Sequence, residues 1–158
     1  MSGYKVTKYG ILVFKSTCEL SDWSSVVGVV SNEDIEDRFG KIISVDEKNK
    51  VVECKGLFSN KIISFKELIS AGNFGCWSIG MFVTKKYFVT AMLSSGNDKI
   101  FAINKNDYEE CHIVRFSEIK RRFGDVFTVR PSHGDIVFPD YCIGIQRIYM
   151  DMRGVKLE

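Results

Sequence analysis

The run Gly40-Lys41-Ile42-Ile43-Ser44-Val45-Asp46-Glu47-Lys48-Asn49-Lys50-Val51-Val52-Glu53-Cys54-Lys55-Gly56 decides the fold class. Two β-branched stretches flank a polar segment at 46–50, the pattern of a β-hairpin with a solvated turn. Gly40 lets the chain bend sharply into the first strand, and Asn49 tolerates the left-handed position of such a turn. A pleated strand points alternate side chains to opposite faces, so one face of this hairpin is expected to be buried.

Outward from this hairpin, short β-branched and aromatic runs cut by Gly, Asn, Asp and Ser recur along the chain. They predict strands over 9–15, 26–31, 40–46, 50–55, 61–65, 80–85, 88–93, 99–104, 112–116, 126–130, 135–138 and 143–149. Helical signals are brief: about one turn each at 65–69 and 116–120, with Ser21-Asp22-Trp23-Ser24-Ser25 able to cap another short piece. Many strands at close spacing with little helix predict an all-β fold of the small-barrel or sandwich class.

The 158 residues suit one ordinary domain or two very small ones. The preferred division is a barrel over 1–72, a second over 76–124, and a segment 125–158 that completes the second barrel or a homodimer. Ala71-Gly72-Asn73-Phe74-Gly75 is the softest boundary. Two echoes suggest internal duplication. Ile62-Ile63-Ser64-Phe65-Lys66-Glu67-Leu68 matches Ile113-Val114-Arg115-Phe116-Ser117-Glu118-Ile119, 51 residues on. Arg38-Phe39-Gly40-Lys41-Ile42-Ile43-Ser44-Val45 matches Arg122-Phe123-Gly124-Asp125-Val126-Phe127-Thr128-Val129, 84 residues on. The unequal offsets do not fit one simple repeat.

The hairpin resembles the KOW motif, the Gly-centred strand–turn–strand of SH3-like barrels in ribosomal proteins and transcription elongation factors. The residues that carry the resemblance are Gly40, Ile42, Ile43 and Val45, the turn Asp46-Glu47-Lys48-Asn49, and Val51 and Val52 leading to Gly56. The segment 62–69 looks like the closing strand and one-turn helix of such barrels. In size and layout the chain is also similar to the MotB-like transcription modulators of T4-type phages. The resemblance implies two tandem SH3-like (KOW/Tudor-type) β-barrels, DNA binding and altered host or phage transcription. KOW modules elsewhere bind RNA or protein, so the resemblance does not choose the ligand.

Lys and Arg number 22 against 20 Asp and Glu, a net charge of +2, but the charges are sorted. Acids concentrate in Asn32-Glu33-Asp34-Ile35-Glu36-Asp37 and Asp107-Tyr108-Glu109-Glu110. Cations prevail at 38–66, in Arg38, Lys41, Lys48, Lys50, Lys55, Lys61 and Lys66. They prevail again at 115–130, in Arg115, Lys120, Arg121, Arg122 and Arg130. Clustered Lys and Arg displace the counterions condensed on nucleic acid, so a nearly neutral chain can still bind phosphate with strong salt dependence. The expected contacts are Arg38, Lys41, Lys48, Lys50, Lys55, Lys85, Lys86, Lys120, Arg121, Arg122 and Arg130. Lys120-Arg121-Arg122 is the sharpest cluster, because adjacent Arg forks grip phosphate oxygens bidentately. Tyr4, Tyr9, Trp23, Phe58, Phe74, Trp77, Tyr87, Tyr108 and Tyr141 lie near expected strand ends or loops. There they offer either peptide cages or base-stacking platforms, the latter implying a single-stranded ligand.

Other classes find less support. Cys18, Cys54, Cys76, Cys111 and Cys142 are odd in number and far apart, with no C-x-x-C pair, so free, mostly buried thiols are expected. Neighbouring Cys111 and His112 point to opposite faces of a strand and do not share a metal. No phosphate-cradling Gly loop, metal site or cofactor site is expected, and no enzyme activity. The apolar runs fall short of the roughly 18–20 residues of a membrane span, and the first residues lack a signal-peptide core, so the cytoplasm is the expected location. The expected function is non-enzymatic, largely sequence-independent binding of duplex DNA that modulates transcription or nucleoid organisation. The alternatives are a protein-interaction module docking on RNA polymerase or the ribosome, or an RNA-binding KOW module.

Overall fold

A computed structural model describes residues 3–14, 26–70, 78–92 and 97–157. The 40–56 run forms the expected hairpin, although a register shift between Ile42 and Ser44 breaks the alternation in its first strand. Strand β4 (Ile42–Asp46) pairs antiparallel with β5 (Val51–Cys54), and β5 pairs with β6 (Lys61–Ser64). Val52, Cys54 and Ile63 point into the core, while Ile43 and Ile62 point outward. The turn differs in one respect from expectation: Lys50, with φ 57, takes the left-handed position. Asn49 is engaged instead with the Asp46 carboxylate, donating its backbone N–H at 3.0 Å and its side-chain amide at 2.7 Å. That local ring moves the reversal one residue later.

The chain divides into two compact units, Met1–Trp77 and Ser78–Glu158. The first begins with a three-stranded meander of β1 (Gly3–Val6), β2 (Gly10–Phe14) and β3 (Val26–Ser31). Helix α1 (Asn32–Phe39) follows, then the β4–β5–β6 sheet and α2 (Phe65–Ser70). Ser31 caps α1 by accepting the Asp34 N–H at 3.2 Å, and Glu33 and Asp34 sit where the helix dipole favours acids. Ile11, Val13, Val30, Ile35, Val52, Cys54, Ile63, Phe65 and Leu68 form this unit's core.

The second unit has a four-stranded sheet, β7 (Ser78–Val83), β8 (Tyr87–Met92), β9 (Lys99–Asn104) and β10 (Cys111–Arg115). Helix α3 (Phe116–Phe123) leads to a three-stranded sheet, β11 (Thr128–Arg130), β12 (Asp135–Val137) and β13 (Cys142–Gly144). The unit closes with α4 (Ile145–Arg153). Residues after 125 therefore bring a sheet and a helix into this unit's core, where Ile136, Ile145, Ile148 and Tyr149 pack with Val89, Ile100 and Ile119. The buried Tyr149 hydroxyl lies 2.8 Å from the Ile100 carbonyl and 3.0 Å from that of His112, tying α4 to β9 and β10.

The two units repeat one plan. Val6-Thr7-Lys8 and Val83-Thr84-Lys85 turn equivalent hairpins. The Thr7 hydroxyl accepts the Gly10 N–H at 3.2 Å, and the Thr84 hydroxyl accepts the Tyr87 N–H at 2.9 Å. The returning strand ends alike, with Asn32 donating to the Tyr9 carbonyl and Lys105 to the Lys86 carbonyl, both at 2.9 Å. Here the second unit inserts residues 105–115, a turn plus β10, before its helix. α1 and α3 are then equivalent: eight residues each, Ile35 and Ile119 fully buried, and each closed by Arg-Phe-Gly with Gly40 at φ 109 and Gly124 at φ 147. The next sheets turn through left-handed Lys50 (φ 57) and Gly134 (φ 67). The 84-residue echo thus marks equivalent places. The 51-residue echo does not, because it pairs β6–α2 with β10–α3. Insertions shift the offset along the chain and hide a common period.

The fold is predominantly β, in four small antiparallel sheets, none closed into a barrel among the described residues. Two helices depart from expectation. The acidic 32–37 segment, read as a charge patch, is most of α1, and most of the strand expected over 143–149 is α4. Ile145, Ile148, Tyr149 and Met152 recur at helical spacing, and Gly154 stops the helix in a left-handed cap. The helical piece at 21–25, the boundary at 71–75, Cys18, Cys76, Trp23, Phe74 and Trp77 lie outside the described residues. Cys54 is buried as expected, but Cys111 is half-buried and Cys142 exposed. On β13 the core-facing position is Ile143, so Cys142 beside it points to the other face.

Candidate nucleic-acid interface

Of the first unit's cations, Lys41, Lys48, Lys50, Lys55 and Lys61 fall at the two ends of the β4–β5–β6 sheet. Lys48 and Lys50 occupy the 46–50 turn, exposed, with the Lys50 ammonium 5.7 Å from the centre of the Tyr4 ring. Lys41 and Lys55 meet at the opposite end, where the Lys55 N–H donates to the Lys41 carbonyl at 2.8 Å. Gly40 makes this approach possible, since a Cβ there would stand 2.4 Å from the Lys55 carbonyl oxygen. Lys61 opens β6 opposite Cys54 and lays its side chain beside Gly56. Lys41, Lys55 and Lys61 are exposed and have no ion pair among the described residues. Arg38, also exposed, stands just before Gly40, 6.0 Å from the Phe39 ring centre. The nearby Glu36 carboxylate accepts the Ile42 N–H at 2.9 Å.

Between Lys55 and Lys61 the β5–β6 loop reads Gly56-Leu57-Phe58-Ser59-Asn60. It folds back tightly: a Cβ on Gly56 would lie 2.1 Å from the Ser59 carbonyl. Leu57 and Phe58 therefore stand at the apex, 97% and 101% exposed. Asn60 is held by Glu53, to which its amide donates at 3.1 Å. Sequence reasoning placed Phe58 among loop aromatics but gave no role to Leu57, and it counted Lys61 among the cations without selecting it. The signal was present in an adjacent Leu-Phe pair bracketed by Gly and Ser-Asn, since turn formers strand an apolar pair in solvent.

The second unit spends much of its positive charge internally. Arg122 makes two bonds to Asp151, at 2.6 and 3.0 Å, and Arg130 makes two to Asp135 across the β11–β12 pair, at 2.8 and 2.5 Å. Each carboxylate raises its arginine's pKa further. Lys120, Arg121 and Arg122 form the last turn of α3, where cations offset the negative end of the helix dipole. Lys120 shares a groove of about 540 Å³ with Asp98 and Asp125, two carboxylates that disfavour phosphate. Lys85 and Lys86 occupy the threonine-stabilised β7–β8 turn, with Lys86 over the Tyr87 ring at 5.4 Å. Arg121 remains exposed and without an ion pair among the described residues.

One polar cluster was not foreseen. The Tyr87 hydroxyl donates to Glu110 at 3.1 Å, the Asn104 amide donates to the other Glu110 oxygen, and His112 Nε2 lies 3.6 Å from the carboxylate. The Asn104 amide, opposed by partial burial and helped by Tyr87, holds the Glu110 pKa below its ordinary value. Burial and then Glu110 push the Tyr87 pKa up to about 12. The cluster ties the β9–β10 turn to β8. Among the described residues no group of three or more His, Cys, Asp or Glu side chains is arranged to hold a metal ion. Nor is any helix there long and apolar enough to cross a membrane. No family model, curated protein or solved structure matches the chain.

Proposed function

We propose that this chain is a non-enzymatic protein that binds duplex DNA with little regard to sequence, through the lysine-bearing end of the β4–β5–β6 sheet, and thereby modulates transcription. The observation that carries the reading is the convergence of Lys41, Lys55 and Lys61 at that end, exposed and without ion pairs among the described residues. Unpaired ammonium groups are the ones free to replace counterions on phosphate, whereas Arg122 and Arg130 already hold carboxylates. The SH3-like, KOW-type character belongs to the same proposal. A Gly-led strand–turn–strand, a closing strand and a short helix, β4–β5–β6–α2, support it, and the phage-type transcriptional role and cytoplasmic location go with it.

The test is a salt titration of duplex binding. Each neutralised phosphate contributes about 0.9 to the slope of log K against log salt, so K41Q/K55Q/K61Q lowers the slope by about 2–3. K120Q/R121Q changes it by less. Absence of duplex binding by the unaltered chain, or an unchanged slope in the triple variant, overturns the reading. Salt-tolerant binding to a polypeptide without any DNA shift favours the docking-module alternative, and preferential binding of RNA favours the RNA-binding one.

A further inference from the structure

We infer that Leu57 and Phe58 form an apolar wedge that enters duplex DNA between adjacent base pairs, so that this chain kinks the duplex it binds. The inference rests on the DNA reading above and adds the mode of contact.

The second unit closes the equivalent hairpin without such an apex. In the second unit the hairpin equivalent to β5–β6 is β12–β13, where Phe138 donates its N–H to the Tyr141 carbonyl at 2.7 Å across the two-residue loop Pro139-Asp140. In the first unit the equivalent positions are Cys54 and Lys61, joined by residues 55–60, four more. The flanking core is alike: Val52 and Ile136 are fully buried, as are Leu68 and Ile148 after the loops. The additional length carries Leu57 and Phe58 away from that core. Apolar side chains this exposed gain nothing from folding, and a two-residue turn closes the same hairpin.

Position and charge select the occupant. Lys55 and Lys61 bracket the loop and Lys41 lies beside Lys55, so a polyanion meeting the lysines meets the Leu-Phe apex with them. The tight Gly56–Ser59 fold presents the apex as a formed tip, so little ordering cost attends its insertion. Ser59 and Asn60 directly follow the pair, and Asn60 is bonded to Glu53. An adjacent Leu-Phe pair suits the gap of an opened base step, which architectural proteins fill with Phe, Leu, Ile, Met or Pro at kinks of about 20–90°.

The test compares the unaltered chain with L57S/F58S on short duplexes. Bending is read by end-to-end energy transfer, and unstacking by the fluorescence of 2-aminopurine. Both sites are solvent-exposed, so the variant should keep its circular dichroism and melting temperature. The expected result is that the unaltered chain bends the duplex and brightens the probe, while L57S/F58S keeps the salt slope but loses both signals and binds about tenfold more weakly. Binding by the unaltered chain without bend or brightening overturns the wedge and leaves the DNA reading standing. No duplex binding at all overturns both. Phe58-dependent binding to anionic phosphatidylserine vesicles, or to single strands in preference to duplex, also overturns the wedge.

Discussion

Phe65, the first residue of α2, donates its backbone N–H to the carbonyl of Lys50 at 2.9 Å, and Lys50 holds φ 57 to place that carbonyl. In the second unit Ile145 and Gly134 make the same bond at 2.8 Å, with Gly134 at φ 67. One backbone device thus joins the turn of each three-stranded sheet to the helix that closes it. Only one of the two positions uses the residue type best suited to it.

Lys50→Gly is therefore expected to stabilise the first unit. A side chain in the left-handed region costs about 1 kcal/mol, partly offset by the added freedom of Gly in the unfolded chain and by the lost contact with Tyr4. The net expectation is a gain of about 0.5 kcal/mol, read as a higher urea midpoint at unchanged slope. Gly134→Lys should lower stability by about 1 kcal/mol and move the midpoint down. A loss of stability in Lys50→Gly would mean that the Tyr4 contact outweighs the backbone strain.

The two helix-ending glycines should not respond equally to alanine. At Gly40 an added Cβ meets the Lys55 carbonyl oxygen at 2.4 Å, and backbone cannot move aside cheaply. At Gly124 the nearest atom is 3.5 Å away, on the Phe138 ring. Both carry a strained φ, so Gly124→Ala should cost about 1 kcal/mol and Gly40→Ala about 3. Because Gly40 sets the meeting of Lys41 and Lys55, its variant should also weaken the proposed binding to duplex DNA. Equal losses of stability would remove the steric part of this account.

The hairpin around Gly40 was legible because two β-branched runs flank one polar segment, a local signal that survives the shifted turn residue and the register shift in β4. The helix at 32–39 was less so: Glu33, Asp34, Glu36 and Asp37 read as a patch of charge, although Ser31 and Asp34 form a helix start and Ile35 and Phe39 lie one turn apart. For 143–149 the β-branched Ile143, Ile145 and Ile148 outweighed the helical spacing of Ile145, Ile148 and Tyr149. The cation site was legible only as composition. Whether an arginine faces solvent or an aspartate 29 residues away, as Arg122 does, depends on tertiary structure. The four extra residues of the β5–β6 loop became visible only once the second unit supplied a reference.

Glu118 should shape the acid limb of stability. It accepts the Arg115 N–H at 2.9 Å and lies 2.6 Å from the Arg153 guanidinium, which also reaches the Ile113 carbonyl. Burial raises its pKa, but the Arg153 and Arg115 hydrogen bonds outweigh it and leave the carboxyl below its ordinary value of 4.5. A lowered folded-state pKa gives stability that is present above the unfolded value and lost as pH falls through the folded one. Glu118→Gln should therefore cost about 1–2 kcal/mol at pH 7, and its deficit should shrink below pH 4.5. A deficit that stays constant from pH 7 to pH 2 would show that charge plays no part.

At the alkaline end the sign reverses, and Tyr87 is the group to follow. Burial and the Glu110 carboxylate raise its pKa from 10.0 to about 12. The neutral phenol is therefore favoured by folding, and its contribution is complete below pH 10 and lost as pH rises through about 12. The phenolate absorbance of the unaltered chain minus that of Tyr87→Phe isolates this side chain from Tyr149, whose buried hydroxyl is also raised well above the ordinary value. The difference titration should have its midpoint near 12 in the folded protein, moving to about 10 in denaturant. Glu110→Gln should bring the folded midpoint down while leaving it above 10, because burial remains after the carboxylate is gone. A folded midpoint already at 10 would mean that the Tyr87 hydroxyl is hydrated, and would break the proposed tie between β8 and the β9–β10 turn.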